Sequence, residues 1–349
     1  MTNRSHPHRR RVTMADVARL AGVSQTTVSF VVNNIEAGLP ESTKRRVLEA
    51  CAKLNYSPNE AARRLASKIS RAIGLAIYDI MALANYRQSA GVVLASVYQA
   101  AEARGQRLQI YTTHERKENG TDVGTYFAVP VRSREVDGIV IWDQYVAEER
   151  VTAAFEEGLP IVLLDRRIGE VPAVVPDYEL GFSSLADSLL DRGYERFCLA
   201  LRRGSCYRDV HAKEAFISRV TSKGLPANCI DIVELDIEAE VGPTLDSEIA
   251  DRMLSTNPQA LVCTYDTIAL AAMAAFRKRG MRIPQDIAVV GCAGVPAAAD
   301  PEYDLTTLHI RYDLMADHAV DMVLRMVKGE RVSGSCVAVA PELIVRSSA

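Results

Sequence analysis

The sequence VTMADVARLAGVSQTTVSFVVN, residues 12–33, contains two short helical patterns that meet at Ala21–Gly22. Thr13 and Asp16 form a capping-box-like start to the first helix, and Ser24 is placed to cap the second. A helix, a glycine-containing turn and a second helix that begins with small polar residues are typical of a helix-turn-helix. From this stretch alone, an ordinary pair of packed helices remains the alternative.

Charge is distributed unevenly along the chain. Residues 1–71 contain 13 Lys and Arg against 5 Asp and Glu, whereas residues 72–349 contain 28 against 39. A basic segment attached to an acidic body is expected where only one end of a protein contacts nucleic acid. The asymmetry therefore favours the DNA-binding interpretation of the helix pair. We predict that residues 1–11 form a disordered basic tail.

The composition predicts a cytoplasmic protein that is nucleoid-associated when bound to DNA. The seven cysteines are scattered and form no CxxC pair, which indicates reduced thiols and no metal site. No apolar run is long enough to span a membrane, and the basic N-terminus leads into no apolar segment of the kind found in secretory signals. We expect no metal or other cofactor.

From Ala72 onward, strand and helix patterns alternate in two series. Repeated βα units with short connections predict an α/β fold with two parallel sheets, each covered by helices on both faces. Neither series has a Gly-rich phosphate loop after its first strand, and no GxSxG motif is present, so an enzyme is disfavoured. The predicted strands are 72–78, 107–113, 137–142, 159–165, 196–201, 230–236, 260–265, 286–291 and 336–345.

These patterns divide the chain into an all-α module, a hinge and a two-part body. A third helix, TKRRVLEACAKLNY, has Val47, Leu48, Cys51 and Leu54 on its predicted inner face. The next helix-capable stretch, AARRLAS (61–67), is too short to form a stable helix alone, so its structure depends on DNA or on a symmetry mate. The predicted domains are 12–58 (helix-turn-helix), 59–71 (short helix and linker) and 72–349 (two-part body). The body is predicted to have an N-subdomain of about 72–168 and 307–335 and a C-subdomain of about 171–303 and 336–347.

The helix pair, followed by LPESTKRRVLEACAKLNYSPNEAARRLASKIS and AIGL, resembles the LacI-type (lactose-repressor/galactose-repressor) family across nearly the whole chain. The resemblance implies a transcriptional repressor, not an enzyme. It also implies a homodimer on a pseudo-palindromic operator and an effector pocket between two subdomains of the type I periplasmic-binding-protein architecture. No leucine heptad follows the last strand, so a dimer is expected. The alternatives are a regulator with a lost or changed effector response and a solute-binding protein.

The second helix is expected to enter the major groove. Gln25 pairs well with adenine, and Thr26 can bond a base edge or touch a thymine methyl. Phe30 is the third base-facing position of the family, where Arg is common; it either packs on a thymine methyl or sugar, which we favour, or folds back onto the helices. By resemblance, the DNA backbone is contacted by Thr13, Met14, Ser24, Thr27, Ser29, Asn33, Thr43, Tyr56 and Asn59.

Leu65, in the hinge sequence AARRLAS, is exposed on a basic helix with no evident core to fill. The matching residue of the family wedges between base pairs from the minor groove, with Ala62 packed on its mate. We expect Arg63 and Arg64 to contact phosphates or groove walls. The alternative is a linker that carries an isolated leucine.

The effector pocket is expected at the carboxyl ends of the strands, where open α/β sheets bind ligands. Ala212 occupies the position of the family's usual pocket arginine, so Arg208 or Lys213 is a candidate replacement. By resemblance, the expected effector is a sugar or related metabolite, and aromatic side chains can stack on it. Packing at a strand end is the alternative role for each candidate. The candidates are Tyr78, Asp79, Trp142, Asp143, Arg208, Lys213, Tyr265 and Asp266, of which Asp266 is the best polar candidate.

Overall fold

A computed structural model divides the chain into two compact units, residues 1–69 and 70–349. The predicted tail and most of the predicted hinge lie outside the residues that the structure describes. Those residues are 12–32, 38–56, 69–78, 88–113, 117–118, 121–122, 127–204, 206–236 and 245–349.

The first unit contains three helices, α1 (Met14–Ala21), α2 (Gln25–Val32) and α3 (Glu41–Leu54). The helix α1 ends at Gly22, whose φ of 64° lies in the left-handed region that glycine adopts without strain. A small apolar core holds the three helices together. Its buried members are Val17, Ala18, Ala21, Val28, Val47 and Ala50.

The predicted caps of α1 and α2 are confirmed. The backbone N–H and the hydroxyl of Thr13 both donate to the Asp16 carboxylate, at 3.0 and 2.7 Å. The Ser24 hydroxyl oxygen accepts the N–H of Thr27 at 3.0 Å. These side chains satisfy backbone groups that a helix leaves unpaired at its start.

The predicted inner face of α3 was wrong at Leu48, which is 57% exposed. Val47 and Ala50 are buried instead, and Cys51 and Leu54 pack against them. Leu48 lies about 100° around the helix from Val47, which turns its side chain away from the other two helices.

The second unit contains two six-stranded sheets. The first sheet has the order β13–β7–β6–β5–β1–β2, and every neighbouring pair is parallel. Its strands are β1 (Ala72–Ile77), β2 (Arg107–Thr112), β5 (Gly138–Trp142), β6 (Ile161–Leu164), β7 (Ala173–Pro176) and β13 (Cys336–Val339). The strands β3 (Lys117–Glu118) and β4 (Thr121–Asp122) pair only with each other.

The second sheet has the order β14–β12–β11–β10–β8–β9. All its pairs are parallel except β12 with β14, which is antiparallel. Its strands are β8 (Phe197–Arg202), β9 (Ile230–Leu235), β10 (Ala260–Cys263), β11 (Ala288–Ala293), β12 (Thr306–His309) and β14 (Glu342–Ile344).

Helices cover both faces of each sheet. The first sheet lies between α4 with α11 on one face and α6 on the other, and the second lies between α7 with α8 and α9 with α10. None of the described helices is long and apolar enough to span a bilayer. The helices are α4 (Gln88–Ala103), α5 (Val129–Arg132), α6 (Glu148–Glu156), α7 (Tyr178–Asp191), α8 (Tyr207–Ser222), α9 (Ser247–Leu254), α10 (Asp266–Lys278) and α11 (Tyr312–Val327).

The chain crosses between the sheets three times, after β7, after β12 and after β13. The predicted subdomain limits were wrong at these points: β7 and β13 belong to the first sheet, and β12 belongs to the second. The predicted single strand 336–345 is likewise two strands in different sheets. Pro341 lies between them, and a proline has no N–H to continue a strand ladder.

Candidate functional site

The start of α2 presents polar side chains on the surface of the first unit. Gln25 and Thr26 are exposed. Phe30, one turn further along, is half-buried and is not among the described side chains that pack on the three-helix core. The described part of this unit therefore offers two polar groups and one aromatic ring along one helix, a set suited to base edges.

The described residues among the predicted backbone contacts differ in exposure. Thr13 and Ser24 are exposed, whereas Met14 and Tyr56 pack against the three-helix core. Three further predicted backbone contacts, Thr27, Ser29 and Thr43, have half-buried polar side chains. Asn33 and Asn59 lie outside the described residues, as do the hinge candidates Ala62, Arg63, Arg64 and Leu65.

A pocket lies between the two sheets, at the carboxyl ends of β1, β5, β6, β8 and β10. Five predicted candidates line it: Tyr78, Trp142, Asp143, Arg208 and Tyr265. Further lining residues are Ile77, Ser89, Ala90, Gln144, Tyr145, Asp165, Arg202 and Thr267.

The Arg208 guanidinium forms hydrogen bonds with other side chains of the protein. Its Nη2 donates to Asp165 Oδ2 at 2.8 Å and to the Tyr312 hydroxyl at 2.9 Å, and its Nε donates to the Tyr178 hydroxyl at 2.8 Å. The Tyr178 hydroxyl in turn donates to Asp165 Oδ1 at 2.6 Å. Burial raises the pKa of both tyrosines, so they bind the ion pair as neutral phenols. The guanidinium also lies over the ring of Tyr265, at 4.5 Å.

The loop after β5 is fixed by two charged residues. The Asp143 carboxylate accepts the Tyr145 N–H at 2.7 Å and the Thr113 hydroxyl. Arg166 donates to the carbonyls of Gln144 and Val146 at 3.0 and 2.9 Å. These bonds hold the loop, and with it Tyr145, at the mouth of the pocket.

At this mouth, Tyr145 contacts a second aromatic ring and makes a cation–π contact. Its ring lies 4.8 Å from that of Tyr78, and the Arg202 guanidinium carbon lies 4.3 Å from its centroid. Tyr145 follows a strand of the first sheet and Arg202 ends a strand of the second, so the contact closes across the pocket.

Asp266 does not line the pocket. It is 1% exposed, and its oxygens accept the Val295 N–H at 2.8 Å and the Thr307 hydroxyl at 2.6 Å. Burial raises the pKa of this carboxyl. A Cβ on Gly291 would lie 2.1 Å from Asp266 Oδ1, so glycine is required for this packing. Asp266 therefore fastens α10 to the strands beside it.

Lys213 and Asp79 are the two remaining predicted pocket residues. Lys213 is half-buried on α8, about 140° around the helix from Arg208, and does not line the pocket. Asp79 lies outside the described residues.

Asp209, buried beside the pocket, has a structural role. It accepts the Thr264 hydroxyl and the Cys206 thiol, the latter at 2.6 Å. Burial raises the pKa of Asp209, and burial together with this carboxylate raises the pKa of Cys206 to about 11. Cys206 is therefore a protonated thiol at neutral pH and not a nucleophile.

The sequence analysis missed two side chains at the pocket mouth, Arg202 and Tyr145. Arg202 directly follows the predicted strand 196–201, so the strand-end rule that identified Trp142 would also have found it. Tyr145 is three residues beyond Trp142, and only the fold of its loop brings it back over the pocket.

Comparison with known proteins agrees with this architecture. The profile described as "Bacterial regulatory proteins, lacI family" matches residues 13–59, and that of the "Periplasmic binding protein-like domain" matches residues 186–349. The HTH-type transcriptional repressor PurR of Edwardsiella ictaluri is 30% identical over 353 residues, which cover 96% of each chain. The chain belongs to the LacI family. A second relative, the PurR repressor of Photorhabdus laumondii, is 28% identical over 96% of each chain.

Solved structures share the fold of this LacI-family chain. The lac repressor dimer bound to operator and the anti-inducer ONPF aligns with a TM-score of 0.79 and 24% identity, covering 97% of this chain and 99% of that one. The CelR–cellobiose complex aligns with a TM-score of 0.66 and 20% identity, covering 97% and 100%. The predicted fold class is confirmed. The LacI-family chain is a transcriptional regulator with a helix-turn-helix and an effector-binding domain, and it is not an enzyme.

Proposed function

We propose that this regulator represses transcription by binding a pseudo-palindromic operator as a homodimer, under the control of a small molecule bound between its two sheets. One observation carries the proposal: the same chain presents exposed Gln25 and Thr26 on a capped helix and encloses a pocket lined from both sheets. The relatives named as repressors and the lac repressor dimer bound to operator support repression and dimerisation.

Base recognition is assigned to α2. Gln25 bonds adenine, Thr26 bonds a base edge or a thymine methyl, and Phe30 packs on a thymine methyl or sugar. The residues assigned to the DNA backbone set the register of the helix pair and carry no sequence preference of their own. They are Thr13, Met14, Ser24, Thr27, Ser29, Asn33, Thr43, Tyr56 and Asn59.

The hinge is assigned to the minor groove. Leu65 enters between base pairs at the operator centre, Ala62 packs on its mate, and Arg63 and Arg64 contact phosphates or groove walls. Leu65→Ala then weakens operator binding without changing dimerisation, which gel shift and analytical ultracentrifugation measure separately. Wild-type operator affinity in this variant would contradict the assignment.

Three chain crossings connect the two sheets, and we propose that the effector acts by changing the relative position of the two halves that they join. A ligand that prefers one relative position of the two halves shifts the population toward it. An effector that favours the arrangement with paired hinge helices acts as a corepressor, and one that favours the other acts as an inducer. A sugar-related metabolite of the cytoplasm, where the operator is, is the effector class that the family resemblance supports.

A second hypothesis is a regulator without small-molecule control. It is supported by Arg208, which is already neutralised by Asp165. A screen of the ligand-free protein against metabolites separates the two hypotheses, because a bound effector raises the melting temperature by mass action.

Operator binding is tested by selecting sites from random DNA and titrating the best site by fluorescence anisotropy at several salt concentrations. We expect a palindromic consensus, a steep negative salt slope and an affinity at least a thousandfold above that for bulk DNA. Equal affinity for all sequences would overturn the proposed function.

A further inference from the structure

We propose that the pocket binds a cyclic organic anion, and that Arg202 binds the carboxylate or phosphate group of this ligand. This inference rests on the proposed function, because it names the chemical class of the effector. It differs from the resemblance, which points to sugars in general and gives no reason to expect a charge.

The two guanidinium groups of the pocket differ in what neutralises them. Arg208 forms a 2.8 Å ion pair with Asp165, and the side chains of both residues are at most 4% exposed. The hydroxyls of Tyr178 and Tyr312 occupy further positions around it. A ligand anion would have to displace a buried carboxylate to reach Arg208, so Arg208 is not the anchor.

Arg202 has no such partner among the described residues. Its side chain is half-buried, and no carboxylate in the described part of the chain lies within 4.0 Å of its guanidinium nitrogens. Its guanidinium lies over the ring face of Tyr145. The Asp209 charge acts on Arg202 from a distance but leaves its guanidinium fork unpaired, and a carboxylate or phosphate satisfies such a fork through paired hydrogen bonds.

Carboxylates close to Arg202 in the fold are bonded to other groups. The Asp143 oxygens accept the Tyr145 N–H and the Thr113 hydroxyl. The Asp209 oxygens accept the Thr264 hydroxyl, the Cys206 thiol and the backbone N–H of Arg202, the last at 3.4 Å. Both acids are therefore occupied in holding loops, which leaves the forked face of Arg202 for a ligand.

The walls favour a flat ligand. Tyr78, Trp142, Tyr145 and Tyr265 supply four aromatic side chains, whereas Ser89 and Thr267 are the hydroxyl groups that line the described pocket apart from tyrosines. A neutral sugar needs many hydrogen-bonding partners, but a ring acid needs one cation and apolar faces.

Matched pairs of probes test the class on the full-length protein. The pairs are 4-hydroxybenzoate with 4-hydroxybenzamide, glucuronate with glucose, and glucose 6-phosphate with glucose. Melting temperatures and calorimetric titrations are recorded for each. We expect an anion to raise the melting temperature and to bind at least tenfold more tightly than its neutral match, and the carboxylate and phosphate arms show which group Arg202 binds.

Variants assign the charge. Arg202→Gln should lose at least tenfold of the anion affinity, whereas Arg203→Gln, at an exposed neighbour that does not line the pocket, should keep it. Arg202→Lys keeps the positive charge but loses the forked guanidinium, so its anion affinity should lie between those of Arg202→Gln and Arg203→Gln. If Arg202→Gln does not fold, the anion affinity of Arg202→Lys and the comparison of matched probes on wild-type protein still test whether Arg202 binds the anion.

Three results would overturn the inference: a neutral probe that binds as tightly as its anion, unchanged anion affinity in folded Arg202→Gln, or no stabilisation by any anion at millimolar concentration. Operator binding is measured on the same preparation with and without the stabilising anion. Failure to bind any operator in both states would overturn the proposed function without bearing on anion binding.

Discussion

Arg208 and Asp165 join the two halves of the effector domain through a buried ion pair, with Nη2 2.8 Å from Oδ2. Asp165 follows a strand of the first sheet, and Arg208 lies in the first turn of a helix that covers the second. Tyr178 and Tyr312, which bond to the pair, each lie just beyond a crossing between the sheets. The pair therefore fastens the point where the halves are connected.

Removal of one partner should be costly. Asp165→Asn leaves the Arg208 charge buried and unpaired, so we expect the free energy of unfolding to fall by about 3–5 kcal/mol. Urea unfolding measures the loss. Asp313→Asn, in the more exposed pair with Arg311, should cost no more than about 1 kcal/mol. Equal costs for the two variants would show that burial does not strengthen the Arg208 pair.

Ser24 has one observed and one proposed role, and two substitutions separate them. Ser24→Ala removes the cap and should lower the free energy of unfolding by about 1 kcal/mol. Ser24→Asp keeps the cap but places a negative charge where DNA phosphates are proposed, so stability should be retained while operator affinity falls. Calorimetry and fluorescence anisotropy measure these effects.

The control for the added charge is Ala52→Asp, at an exposed position of α3 that has no proposed DNA contact. It should bind operator more tightly than Ser24→Asp does. Unchanged operator affinity in Ser24→Asp would remove Ser24 from the DNA interface.

Phe30 is tested by site selection. Phe30→Arg should shift the preferred base at one position of each half-site to guanine, because Arg bonds guanine O6 and N7. Phe30→Ala should reduce operator affinity and leave the free energy of unfolding within about 1 kcal/mol of wild type, since the ring is outside the three-helix core. A loss of about 3 kcal/mol or more would indicate that the ring folds back onto the helices.

Asp187 should make stability depend on acid pH. Hydrogen bonds from Arg219, at 2.8 and 2.7 Å, lower its pKa below the ordinary value of 3.8 despite partial burial. The folded state then binds this proton less readily than the unfolded chain, so the stabilisation is complete above pH 3.8 and is lost as pH falls through the lowered pKa.

Asp187→Asn should therefore cost at most about 1 kcal/mol at pH 7, and the difference from wild type should shrink below pH 3.8. Urea unfolding at a series of pH values measures it. Asp191→Asn, at the exposed end of the same helix, is the control for loss of a surface carboxylate outside this ion pair. A constant difference at every pH would show that the carboxylate charge is not responsible.

The strand ends of the effector domain could be predicted because buried strands are continuous apolar runs, and parallel strands bring their carboxyl ends to one edge. That rule placed Trp142 and Tyr265 correctly in the pocket. Asp266 also follows a strand, but as the first residue of α10 it turns back toward Thr307. Sequence position identifies the edge of a sheet, but the direction of a side chain depends on the helix or loop that follows.

Sheet membership was harder to predict than strand position. The strands β7 and β12 were missing from the predicted set, because they have four residues each and no periodic signal of their own. Their assignment depends on contacts with strands distant in the chain, for example Thr306 with Val290. The helix pair, in contrast, was predictable because its caps and its apolar spacing are local.

The final crossing lets one short segment of the chain complete both sheets. Cys336–Val339 forms the outer strand of one sheet and Glu342–Ile344 that of the other. A chain cut before Cys336 would keep the helix-turn-helix unit, but β7 and β12, which are largely buried in the complete fold, would become sheet edges. Apolar edges of this kind invite aggregation. Damage to this one segment would therefore affect both halves of the effector domain at once.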